Sequence, residues 1–357
     1  MNLAGRVIGA VAGAVGVAVV GTTAGVVRQG RVIGRRVEDS TPFGSLRSSP
    51  LTLIADDGVP LHVEVDEVGD APRGAPGSEG SDLTVVFVHG FALNMDCWHF
   101  QRAAYRGLVR AVYYDQRSHG RSGRSGREGS TIEQLALDLA HVLMTMVPDG
   151  PVVLVGHSMG GMTIVALADQ HPELFGEKVV GVVLVSTTAG GLDPSRMLLP
   201  MLPARLSGGV AGRTVSTLAI GHRVVDGVRR LGASFAQVAT DVFAFGGAVP
   251  AAYVDFVDEM LAATPFEVVA QFFPSFKGLD KFHAVEVLSR VPTAIIAGTG
   301  DRLTSVGHSR KLHQRIAGST LLECEDAGHM VILERHGQVN AALDQLLTAA
   351  VDRSTST

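Results

Sequence analysis

Residues 151–167 read PVVLVGHSMGGMTIVAL: an apolar run behind a proline, then a turn at a serine set among glycines. A buried strand feeding a helix is normally crossed by whatever packs best, so a hydroxyl at that junction needs a chemical reason. Gly156, Ser158 and Gly160 form the pattern GxSxG around His157 and Met159. In such a turn the flanking residues must be small because strand and helix crowd each other. The serine then stands above the end of the sheet, and the helix N-terminus behind it favours negative charge.

The surrounding chain alternates between strand and helix. LTLIADDGVPLHVEVDE (51–67) reads as two strands joined at Asp56, Asp57 and Gly58, and the Pro, Gly and Ser-rich GDAPRGAPGSEGSD (69–82) reads as a surface loop. LTVVFVHG, AVYYD, PVVLVG, KVVGVVLVS, TAIIAG and TLLECE are strand-like runs. Between them fall helices expected at 96–108, from a Ser130/Glu133 capping box to Met146, after Ser158, at 305–316 and at 330–349. Apolar strands separated by helices predict an α/β fold with a mainly parallel, doubly wound sheet covered on both faces. From about 190 to 278 the rhythm breaks into helix-like pieces, with a further capping box expected at Thr264–Glu267, so this segment reads as an insertion over one end of the sheet.

A serine becomes a nucleophile when a base removes its proton and a third group orients that base. GTGDRL places Asp301 just past one strand, and EDAGHM places His329 just past the next. The chain order Ser158, Asp301, His329 is nucleophile, acid, base. An oxyanion needs donors, and backbone N–H groups suffice. Met159 follows the serine, and Phe91 lies in HGFA (89–92) at the end of an adjacent strand. Asp301 also has the simpler reading of a cap on the following helix. His89 and His157 lack metal-ligand spacing and read as loop packing, while Arg117, Arg121 and Arg124 read as a solvated face or sheet-end packing, with an anion contact as the sharper alternative.

Through HGF, DQRSHGRS, GHSMGG, GTGD and AGH in this order, residues 51–350 resemble the α/β-hydrolase superfamily. The resemblance implies Ser158 as nucleophile, His329 as general base, Asp301 as orienting acid, and no cofactor or metal. It disfavours the epoxide-opening and dehalogenating members, which carry aspartate at the elbow. The chain departs mildly from the pattern in having Ser118 where relatives often have glycine. The expected function is hydrolysis of a small ester with an apolar acyl or alkyl group through an acyl-enzyme. Acyl transfer or cofactor-free haloperoxidase and perhydrolase chemistry with the same triad is the alternative, and a non-catalytic binding protein on the same fold is a third. The insertion, read as a helical lid, holds eight of the fourteen phenylalanines, from Phe235 to Phe276, and these supply an apolar wall.

The 357 residues, 46% hydrophobic and 18% charged, fit a globular domain with a more hydrophobic attachment. The attachment is residues 1–36, which hold five arginines and no acid, although the whole chain carries a formal net charge of −5. An acidic body behind a basic leader excludes nucleic acid as the expected partner. Val7 to Val27 is free of charge and long enough to span a bilayer, so 1–36 reads as a membrane-anchor-like segment and 37–357 as the hydrolase domain. A cleaved signal peptide, or a surface-lying or packed segment, is the alternative reading. Four arginines after the run place the body in the cytoplasm by charge bias. Cys97 and Cys324 read as free core thiols, and no sequence feature specifies an oligomeric state.

Overall fold

The computed structural model describes residues 42–69, 83–192 and 244–354. The apolar run 7–27, most of loop 69–82 and residues 193–243 of the insertion lie outside the described residues. Among those described, no helix is long and apolar enough to cross a membrane.

Eight strands form one sheet: β1 (Pro50–Ile54), β2 (Pro60–Asp66), β3 (Thr84–Val88), β4 (Arg110–Tyr114), β5 (Val152–His157), β6 (Val179–Val185), β7 (Thr293–Gly298) and β8 (Thr320–Cys324). Their order is β1-β2-β4-β3-β5-β6-β7-β8. β2 pairs antiparallel with both its neighbours and every other pair is parallel, so β2 alone runs against the rest. The chain leaves β3 in one direction to make β4 and returns on its other side as β5. In parallel sheets ligands bind beyond the strand ends where the order reverses in this way.

The central strands are buried along their whole length, which is why they read as unbroken apolar runs. Alternation still sorts their side chains. Val86 and Val88 of β3 pack beneath α2 (Ile132–Met146) and α3 (Met159–Gln170). Val85 and Phe87 face the opposite layer with Trp98, α1 (His99–Tyr105) and α8 (His336–Ser354). Helices α4 (Ala251–Ala263), α5 (Phe266–Gly278), α6 (Val306–Arg315) and the short α7 (Val331–Glu334) complete the described helices.

Four local expectations are corrected. The first helix begins as a 3₁₀ turn at Met95–Trp98 and ends at Tyr105, because Asn94 and Asp115 take the N–H groups of Asp96 and Met95. α2 is capped by Thr131, which accepts from Gln134 N–H at 3.1 Å, while the Ser130 hydroxyl bonds the Gly126 carbonyl. Thr264 does not cap α5; its hydroxyl donates to the Ala92 carbonyl at 3.2 Å, tying the start of α5 to the loop after β3. The last helix is broken near Arg335 into α7 and α8.

In the loop after β4, Arg117 is no solvated face. Its guanidinium is fully buried, bonded twice to Asp138 at 2.6 Å and to Asp57 at 2.6 and 3.0 Å. It pins the β1–β2 turn and α2 to the sheet end, whereas Arg121 reaches the Asp96 carboxylate at 3.0 Å. Ser118 sits at φ 66°, the left-handed region that favours glycine, and its hydroxyl offsets part of that strain by accepting from Ser125 N–H at 3.0 Å. Arg117→Met leaves Asp138 buried without its cation and is expected to cost about 3–5 kcal/mol, read as a lower urea midpoint. An unchanged midpoint would show that the ion pair is dispensable.

Candidate active site

The site begins at Ser158, which joins β5 to α3 at φ 52° and ψ −115°. No L-residue other than glycine adopts this conformation cheaply, so the surroundings must enforce it. Ser158 N–H donates to Val185 O at 2.9 Å, and Thr187 Oγ1 donates to Ser158 O at 2.6 Å, so the neighbouring strand holds both sides of the turn. α3 starts directly against β3: a Cβ on Gly160 would collide with the carbonyl of Val88, and one on Gly156 would meet Ile164 Cδ1 at 2.6 Å.

Asp301 follows β7 and His329 follows β8, two and three strands from β5. The histidine returns across that distance because its loop lies on the end of β7, where Gly300 N–H donates to Ala327 O at 2.8 Å and a side chain at Gly298 would collide with the Ala327 carbonyl. His157 then latches the loop, its Nε2 lying 2.9 Å from His329 O. A carbonyl only accepts, so Nε2 carries the proton.

The three expected residues meet. His329 Nε2 lies 2.9 Å from Ser158 Oγ, and His329 Nδ1 lies 2.9 Å from Asp301 Oδ2. A neutral imidazole donating from Nδ1 to the carboxylate presents a bare Nε2 to the serine hydroxyl. Asp301 Oδ1 accepts from the N–H groups of Leu303 and Thr304 at 2.8 and 2.9 Å, and Oδ2 is also 2.9 Å from Thr304 Oγ1. Burial pushes this carboxyl up, but the charge and hydrogen bond of His329, with the donors at 303 and 304, hold it below the usual carboxylate range. Asp301 therefore stabilises its own turn and also faces the histidine; α6 begins later, behind Ser305.

The two expected N–H groups belong to the helix that starts after the serine and to the loop after the neighbouring strand. Met159 is the first residue of α3, where a helix has no partner of its own for the N–H. Phe91 lies in the loop after β3, the strand paired with β5 in a register that sets Val88 opposite Gly156. His89 braces this loop. Its Nε2 accepts from Gln116 N–H at 2.9 Å, which leaves the proton on Nδ1 for Gly90 O at 2.7 Å, and Gln116 Nε2 donates to His89 O at 2.7 Å. Over the loop, the ring of Phe91 packs edge-on against Phe276 at 5.0 Å and tilted against Phe272 at 6.0 Å, both from α5. Ser158, Asp301 and His329 are only 2, 4 and 7% exposed. Phe235 and Phe243 lie outside the described residues.

Several participants carry no motif. Thr304, Thr187 and Gln116 are ordinary polar residues in the sequence. Glu334 accepts from Gly328 N–H at 2.6 Å and Gly246 N–H at 3.1 Å, which joins the loop of His329 to the insertion. Burial raises its carboxyl above the usual range despite these two donors.

A family described as the alpha/beta hydrolase family matches residues 85–342. An uncharacterized protein of Mycobacterium tuberculosis is 26% identical over 264 residues, 70% of this chain and 71% of that protein. Among solved structures, an esterase from Exiguobacterium antarcticum is similar with a TM-score of 0.63 at 19% identity, covering 84% of this chain and 100% of that one. A bromoperoxidase from Bacillus anthracis is similar with a TM-score of 0.63 at 20% identity and the same coverages. At these identities the two structures speak for the fold.

The buried histidines make stability pH-dependent. Burial pulls His89 down to about 4, and His119 and His157 down to about 3, from an ordinary value of 6.5. Each takes up a proton on unfolding between those limits, so its contribution is complete above pH 6.5 and drains as pH falls toward 4, by up to about 1.4 kcal/mol per pH unit. Urea unfolding between pH 7 and 5 should show falling stability, with a shallower slope in His157→Asn. A variant slope equal to that of the wild type would mean that His157 is already protonated in the fold.

Proposed function

The chain belongs to the α/β hydrolase family, and on that premise we propose that it is a serine esterase acting through an acyl-enzyme. The observation that carries the reading is the imidazole of His329, held between Asp301 and Ser158 at 2.9 Å on each side. Ser158 attacks the ester carbonyl while His329 takes the hydroxyl proton, and Asp301 fixes the tautomer and stabilises the imidazolium. The N–H groups of Met159 and Phe91 receive the oxyanion. His329 then gives its proton to the leaving alcohol, and water repeats the sequence on the acyl-enzyme. These steps need no cofactor and no metal.

Phe91, Phe272 and Phe276 favour an ester with an apolar group, and the insertion serves as the lid. The body stands as one hydrolase domain, 37–357, behind an anchoring segment, 1–36. We place this domain on the cytoplasmic face of a membrane through the charge-free run 7–27 and the arginines after it. Peroxide in place of water at the acyl-enzyme is the second reading, since the same three residues would serve it. Retention of all three triad residues weighs against a purely binding role.

Ser158→Ala should abolish fluorophosphonate labelling and p-nitrophenyl ester hydrolysis, and full labelling of the variant would overturn the nucleophile. Peracid formation outpacing hydrolysis in added peroxide would transfer the assignment to the second reading. Esters of about six to ten acyl carbons should outperform acetate, since each buried methylene contributes about 0.8 kcal/mol. A steady decline with chain length would mean that the phenylalanines close the pocket. Deleting residues 1–36 should release the protein from membranes with its activity intact, whereas a full-length chain found in the soluble fraction would remove the anchor.

A further inference from the structure

The Thr304 hydroxyl is buried and has three polar neighbours: Ser186 O at 2.7 Å, Asp301 Oδ2 at 2.9 Å and His329 Nδ1 at 3.3 Å. A hydroxyl has one proton and two lone pairs. The carbonyl and the carboxylate are both acceptors, so the one proton serves one of them at a time, while the Nδ1–H is a donor that the lone pairs can receive. Placed on Asp301 while His329 is neutral, the proton completes the donor set of the carboxylate. Oδ1 then has the N–H groups of Leu303 and Thr304, Oδ2 has the hydroxyl and Nδ1–H, and the carboxylate is fully satisfied. Ser186, whose carbonyl waits as the other acceptor, is fully buried and held at φ 46°, a conformation a serine adopts only when its surroundings impose it.

We propose that Thr304 is a positioning residue for the acid–base pair: as His329 gains its second proton, the hydroxyl turns from Asp301 to the Ser186 carbonyl and offers a lone pair to Nδ1–H. The inference rests on the roles proposed for Ser158, His329 and Asp301. The positive charge on the ring strengthens Nδ1–H as a donor, and the carboxylate answers it more fully when it is no longer shared with the hydroxyl. The turn is a rotation about one C–O bond and needs no movement of a heavy atom. The hydroxyl keeps its lone pairs in either orientation, but it is the positive ring that draws on them most strongly, so the contact favours the transition state over the resting enzyme. The proton that Ser158 loses is the one His329 Nε2 gains, and Thr304 exchanges none.

Three titratable groups from neighbouring elements surround His329 among the described residues. Asp301 comes from the loop after β7, His157 from the end of β5 and Glu334 from α7. All three remain in a Thr304 variant, so a change in pH dependence reports the hydroxyl. In the full chain, Thr304→Val should lower kcat about three- to tenfold, the range of one net hydrogen bond, with KM within about twofold. The acidic limb of kcat/KM should move to lower pH, because an imidazolium with one acceptor fewer gives up its proton more readily. Thr304→Ser should restore both. If the valine variant folds poorly by circular dichroism, Thr304→Ala against Thr304→Ser provides the same comparison.

An unmoved limb overturns the proposal, as does a serine variant as impaired as valine or a rise in KM that matches the fall in kcat. A limb that moves to higher pH overturns it too, since the hydroxyl would then serve Asp301 alone. Fluorophosphonate labelling of the wild type separates the two levels. Labelling with an unmoved limb removes only the role of Thr304, whereas no labelling of the wild type removes the esterase reading and this inference with it.

Discussion

Helix α3 lies against the end of strand β3 with no room for a side chain between them, and the geometry of the site follows from that contact. Because Gly160 meets the Val88 carbonyl directly, the chain must turn from β5 into α3 within one residue, and that residue is Ser158 at φ 52°. The same turn makes Met159 the first residue of the helix and sets its free N–H beside the hydroxyl. It also brings the loop after β3, with Phe91, next to the elbow, since β3 and β5 are paired neighbours. A looser approach of the helix would relax the serine and separate nucleophile from donors in one step. The strain is met by bonds from β6 and the residues just beyond it, at Val185 and Thr187.

The parts of this arrangement that rest on a local pattern were legible in the sequence. Apolar runs marked the strands because burial on both faces removes any polar alternation, as in Val179–Val185. Ser158, Asp301 and His329 were legible because each lies just past a strand with glycine close by. What could not be read was the long-range partner of an ordinary polar residue. Thr264 has the sequence of a helix cap, yet its hydroxyl goes to Ala92, which is far away along the chain. Arg117 sits in a polar loop where the sequence leaves a solvated face and sheet-end packing both open, and the choice is made by Asp57 and Asp138, which neutralise it from two other elements. Thr304 touches three groups of the site and belongs to no motif.

The polar groups around the triad are arranged to leave one task unfinished. His89, Gln116 and His157 spend their hydrogen bonds on the backbone of the loops, and burial keeps both histidines neutral, so neither competes with His329 for the serine proton. Asp301 has its oxygens satisfied before any substrate arrives. The N–H at the start of α3 has no acceptor within its own helix. Asp301 and His329 supported in this way, with a backbone N–H left open beside Ser158, suit the charge that the proposed reaction would develop.

His329 is held less by its own strand than by what crosses it. Its carbonyl is fixed by His157 from β5, its preceding residue by Glu334 from α7, and the following N–H, that of Met330, by Ala244 O at 2.8 Å. Residues 244–246 are where the described part of the insertion begins, and Gly246 shares the Glu334 carboxylate with Gly328. Gly328, next to His329, and this part of the insertion are thus bonded to one side chain. Between α4 and α5, Thr264 bonds the loop after β3 at Ala92. The described part of the insertion is in this way hydrogen-bonded both to the segment that carries His329 and to the loop after β3 that carries Phe91, so the chain that supplies Phe272 and Phe276 is tied to both sides of the serine.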